Sequence, residues 1–120
     1  MNFEQFRKRL AQFLKDNHIK IYSYDQAGDF IEKHGLSSLA GQTTGFCLRA
    51  QAGHEPLNAI FYEKSCSRES RTFTVCHELG HILLGHLDGK TKLSIDAQET
   101  EANIFAAVLM AQLVFSSFQE

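Results

Sequence analysis

Residues 71–86 read Arg-Thr-Phe-Thr-Val-Cys-His-Glu-Leu-Gly-His-Ile-Leu-Leu-Gly-His, and His77 and His81 stand four apart within them. On a helix, residues at i and i+4 share one face, about one turn apart. Phe73, Leu79, Ile82 and Leu83 supply apolar positions around the histidines. One helix is therefore expected from the polar break at residues 65–70 to Leu84, ended by Gly85. Two imidazoles so placed can share a tetrahedral Zn²⁺ at ~2.0–2.1 Å each. Glu78 leans towards the same space without coordinating. There its carboxylate can take a proton from a metal-bound water as that water attacks a carbonyl. His77 and His81 are candidate metal ligands, and Glu78 is the candidate catalytic base. Gly80 lies between Glu78 and His81, and its missing side chain leaves room for another chain or a substrate.

A catalytic zinc site has three protein ligands and one open position. A third histidine in the compact metalloprotease pattern requires Gly and His at the seventh and tenth positions after His77. Those positions hold Leu84 and Leu87, so that pattern is excluded. A carboxylate from the next helix is the alternative, with Glu99 and Glu101 as candidates. Glu99 is favoured, because Asn103 then lies one turn on along the same face and can orient a ligating histidine through its amide. Glu101 points ~160° away from Glu99 at 100° per residue and is expected to be solvated or salt-bridged. His86 lies just past the helix end, where a cation suits the helix dipole, so a capping role is expected of it. His18, His34 and His54 carry no spacing signal. Cys76 reads as a small core residue, and Tyr62 as a packing residue able to donate to an oxyanion.

Outward from this helix, Phe3, Phe6, Leu10, Phe13 and Leu14 recur at helical spacing and predict a surface helix over 3–16. A short strand is expected at 19–23, and a helix over about 25–34 with Gly35 as its stop. The Ser-, Gly- and Thr-rich residues 36–45 read as a loop. Strands at 45–50 and 58–63 are joined as a hairpin through 51–57, which hold the only proline. The strand at 59–63 offers an edge for an extended peptide. After a polar connection, Ser94 is a good N-cap for a last helix over about 95–117, apolar on most sides and hence expected to be buried. The fold class is α+β, one domain over residues 1–120, with a short antiparallel sheet packed on the histidine-bearing helix and a C-terminal helix.

The 120 residues are 43% apolar with ten Phe, enough for a core without covalent staples. A charge of −2 and a pI near 6.3 give no footprint for nucleic acid. The one basic run, Arg7-Lys8-Arg9, reads as the solvated face of the first helix. Three cysteines without a Cys-x-x-Cys pair do not form a secreted disulfide framework. The charged N-terminus is no signal peptide, and Ile104–Phe115 is too short to span a bilayer. Neither membrane nor nucleic acid is expected as a partner, and the cytoplasm is the expected location.

The run from Arg71 to His86 resembles the signature helix of the ImmA/IrrE family of metallopeptidases. So does Glu99-Thr-Glu101-Ala-Asn103-Ile-Phe105-Ala-Ala-Val-Leu-Met110 in the following helix. The resemblance implies a small zincin-like domain with gluzincin-like coordination: His77, His81 and Glu99 on Zn²⁺, with Glu78 as base. It also implies a substrate class, helix-turn-helix transcriptional repressors of mobile elements or stress regulons. The family's usual proline after its final helix is replaced here by Ala111-Gln-Leu-Val-Phe. Two other readings use the same residues. One is a zincin-fold module that binds a DNA-binding regulator, as in toxin–antitoxin pairs, without cleaving it. The other is a structural zinc site closed by a fourth ligand such as His86.

Overall fold

The computed structural model describes residues 2–52 and 55–119, and the side chains of residues 2–50 and 57–112. Helix α1 spans Phe3–Asp16. Asn2 and Gln5 close a reciprocal capping box at its start, which satisfies two otherwise unpaired backbone donors. Phe6 and Leu14 are buried on its inner face, while Phe13 looks outward. Strand β1 is Ile19–Ser23. Both elements lie where the apolar spacing predicts them.

Helix α2 (Gly28–Lys33) is shorter than expected, because residues 24–27 form a turn before it. Gly35, at φ +68°, takes the left-handed conformation that closes its C-terminus. The predicted loop contains a short helix, α3 (Ser37–Gln42), with no side-chain cap. Its local signal is weak. It is held by packing, since Leu36 and Ala40 rest on the buried cluster of Tyr24, Ala27, Ile31, Phe46 and Phe61.

Strands β2 (Gly45–Ala52) and β3 (Glu55–Tyr62) pair antiparallel as expected and run further towards each other than predicted. The sheet order is β1-β3-β2, and β1 pairs with β3 in parallel. The sheet is therefore mixed rather than antiparallel. The expected peptide-accepting edge at 59–63 is not an edge, because Asn58–Tyr62 is paired on both sides.

Helix α4 (Arg68–Leu83) starts at Ser67, whose hydroxyl accepts from the Ser70 backbone N–H. Helix α5 (Ile95–Gln119) starts at Ser94, whose hydroxyl accepts from the Ala97 N–H. One face of the sheet carries α1, α4 and α5 around Leu14, Ile19, Ile60, Val75, Leu79 and Ile82. The other carries α2 and α3. Helix α5 is not buried all round: Ala102 and Ala106 are fully covered, but Ile104 and Val108 are more than half exposed. Small residues on the inner face let it lie close against α4. A Cβ on Gly80 would meet the Phe105 ring of α5 at 3.1–3.2 Å, so it is the neighbouring helix, not a substrate, that uses the space at Gly80.

Candidate metal centre

His77 and His81 project from one face of α4 with their Nε2 atoms 3.1 Å apart. Helix α5 brings Glu99 to meet them. Its Oε2 lies 2.9 Å from His77 Nε2, and its Oε1 lies 3.1 Å from His81 Nε2. Two donors at ~2.0–2.1 Å from a tetrahedral ion stand ~3.3 Å apart, so these three groups suit one small cation. The donor set of two imidazoles and a carboxylate suits a divalent transition metal. Burial pushes His81 below its ordinary value against the opposing pull of Glu99, which favours the neutral imidazole that a metal requires.

His77 Nδ1 is 2.8 Å from Asn103 Oδ1, one turn along α5 from Glu99. A carboxamide oxygen only accepts, so His77 Nδ1–H donates and the Nε2 lone pair faces Glu99. The amide partner expected from the Glu99–Asn103 spacing is in contact.

Glu78 sits in the same cluster. One of its carboxylate oxygens and one nitrogen of each histidine lie within 4.8 Å of one another. The residue is 5% exposed, and Oε2 is buried without a hydrogen-bond partner. Burial, and then the charge of Glu99, push its carboxyl up from 4.5 to about 7. An unpaired buried carboxylate oxygen is costly unless the site uses it. Poised near neutrality beside the two histidines, it suits proton transfer.

Glu101 stays nearly half exposed, as expected of a solvated or paired carboxylate, and its Oε1 meets His86 Nε2 at 2.7 Å. One expectation changes: His86 does more than cap. Its backbone N–H donates to His81 O, and Gly85 N–H donates to Ile82 O, which closes α4. Its imidazole, however, turns inward, 1% exposed, with Nδ1 at 2.8 Å from His81 Nδ1. Both ring nitrogens are engaged, so His86 has none left to close a structural metal shell. The sequence did hold a signal for this. A glycine at the residue after the helix end folds the next residue back onto the last turn.

Tyr62 packs against the core around Ile60 and Val75. It also lines a cleft of about 450 Å³ with Arg7, Lys15, His18 and Arg71, and no HELGH side chain lines that cleft. Cys76 is fully buried beside Phe6 and Ala106, and burial pushes its thiol up to about 12. It is a core residue, as expected. His18 and His34 lie outside the centre, exposed at the ends of α1 and α2. His54 lies outside the described residues.

The family model described as IrrE N-terminal-like domain (Peptidase_M78) matches residues 32–117, more than half of the chain. That span includes α4, all but the last two residues of α5, and every residue of the centre. No curated protein and no solved structure gives a significant match.

Proposed function

Because the chain belongs to the IrrE N-terminal-like domain family of peptidases, we propose that it is a zinc-dependent endopeptidase acting on a protein partner. His77, His81 and Glu99 hold the metal in this reading, and Glu78 is the general base. The observation that carries it is the convergence of three donor atoms at 2.9–3.1 Å beside a buried, unpartnered carboxylate oxygen.

A bound zinc ion would lower the pKa of its water and polarise a substrate carbonyl. The chain's own residues do the rest. Asn103 holds His77 with its Nε2 lone pair inward. Glu99 closes the third side from α5. The Glu78 carboxylate takes the proton of the attacking water and then delivers it to the leaving amine. A carboxyl with a pKa near the working pH does both halves of that task well. A module that only binds its partner has no use for a desolvated base, so the peptidase reading is favoured over a non-proteolytic one.

The family resemblance supplies the substrate class, a helix-turn-helix repressor of a mobile element or stress regulon. A cytoplasmic site of action goes with that substrate. No helix among the described residues is long and apolar enough to cross a membrane.

The test is to incubate the zinc-loaded protein with candidate helix-turn-helix repressors from its own genome and to read the products by mass spectrometry. Cleavage at a defined bond is expected, and Glu78→Gln lowers it by ~10²–10⁴-fold while keeping the metal. Full activity in Glu78→Gln would overturn the assigned mechanism. An intact repressor held in a tight complex by both forms would favour the binding module.

A further inference from the structure

We propose that His86 and Glu101 are positioning residues for the metal centre. In this account the chain Glu101–His86–His81 fixes the tautomer and ring orientation of His81 and so strengthens metal binding. The proposal rests on the metal-centre reading above and extends it to two residues outside the ligand set.

The proton positions follow from the partners. Glu101 as a carboxylate can only accept, so His86 Nε2–H donates to Glu101 Oε1 across 2.7 Å. A neutral His86 then presents a lone pair at Nδ1. His81 Nδ1–H donates to it across 2.8 Å. With its proton held at Nδ1, His81 has its lone pair at Nε2, the atom 3.1 Å from both His77 Nε2 and Glu99 Oε1. The same logic holds His77 through Asn103. Each ligating imidazole thus has its outer nitrogen anchored and its inner nitrogen free.

The fold builds this on purpose-shaped elements. Gly85, at φ +77°, reverses the chain directly after α4, a conformation that a side chain disfavours. The reversal returns His86 to the last helical turn. Glu101 lies two residues after Glu99 on α5, on a different side of that helix. One α5 carboxylate therefore meets the inner nitrogens of the ligand pair, and the other supports His81 from behind. Glu101 keeps 46% of its side chain exposed, whereas the His86 ring between the carboxylate and His81 is almost fully enclosed. A buried imidazole needs partners for both nitrogens, and here one of those partners is a ligand.

The experiment combines ¹⁵N NMR of the histidines with zinc titration against a competing chelator. The wild type, His86→Phe, Glu101→Met and Glu101→Gln are compared. In the zinc-loaded wild type, His81 is expected to bind through Nε2 and to carry its proton at Nδ1, with a coupling across the hydrogen bond to His86 Nδ1. His86→Phe fills the same space but cannot accept, and zinc affinity falls ~10–100-fold. Glu101→Met, at a half-exposed position, weakens zinc in the same direction and serves as the test if His86→Phe does not fold. Glu101→Gln still offers an acceptor oxygen and keeps most of the affinity.

Zinc affinity unchanged in His86→Phe, or in Glu101→Met when the former is unfolded, would overturn the proposal and leave the metal centre standing. Coordination of His81 through Nδ1 would do the same. A wild type that binds no zinc would overturn both.

Discussion

Glu78 holds a buried carboxylate oxygen with no hydrogen-bond partner among the described residues. Its carboxyl is raised from 4.5 to about 7 by burial and by Glu99. The folded state therefore gains from the proton on Glu78 fully below the ordinary carboxyl value, and loses that gain as pH rises through about 7. In chelator-treated protein near about pH 8, Glu78→Gln removes a desolvated charge and should raise stability by ~1–3 kcal/mol. Near about pH 4 the two forms should melt alike. Thermal melts at the two pH values check this, and equal melting near pH 8 would mean that Glu78 is not desolvated. At this scale most of the centre was legible in the sequence. His77, Glu78 and His81 follow from helical spacing, and Glu99 and Asn103 from a second i, i+4 pair. His86 was half legible, since Gly85 marks the reversal that returns it to α4, but its partnership with Glu101 was not, because it depends on how closely α5 approaches.

Between elements, the centre depends on the distance from α4 to α5, since the ligands come from both. Gly80 sets that distance, with Phe105 filling the space where a side chain would stand. Gly80→Val forces bulk into this contact. It should cost ~1–3 kcal/mol, the usual range for overpacking, and weaken zinc binding because Glu99 rides on the displaced helix. Urea melts and zinc titration measure the two effects, and a valine tolerated without either loss would contradict the packing account. Helices α1, α4 and α5 were readable from spacing, and the cap at Ser94 from its chemistry; the caps at Asn2 and Ser67 emerged with the structure. Helix α3 was not, since Ser37–Gln42 has little intrinsic preference and is held by the apolar cluster beneath it. The parallel pairing of Ile19–Ser23 with Asn58–Tyr62 joins strands far apart in sequence, and no local pattern encodes it.

Across the molecule, the proposed metal centre and the fold share one core. Cys76 lies on α4 between Phe6 of α1 and Ala106 of α5, one residue before a proposed ligand. Its thiol, buried and raised to about 12, should react with an alkylating reagent only when the core opens. Zinc that binds the folded form alone stabilises it by ~2.7 kcal/mol at a hundredfold excess over Kd, which slows such opening ~100-fold. Alkylation of Cys76 followed by mass spectrometry should therefore be slow with zinc and fast with chelator. Equal rates would show that the centre and the core are uncoupled. The α+β class was legible from the order of elements. The layering of α2 and α3 on one face, with the other helices opposite, emerged only with the sheet.

In the proposed centre two imidazoles and Glu99 hold a metal with one position left open. X-ray absorption at the zinc edge of the loaded protein tests it most directly. One zinc per chain is expected, with two imidazole nitrogens, carboxylate oxygen and a solvent oxygen, and Glu99→Ala should lose the metal or replace the carboxylate with water. A third imidazole in the shell, or a shell unchanged in Glu99→Ala, would contradict it.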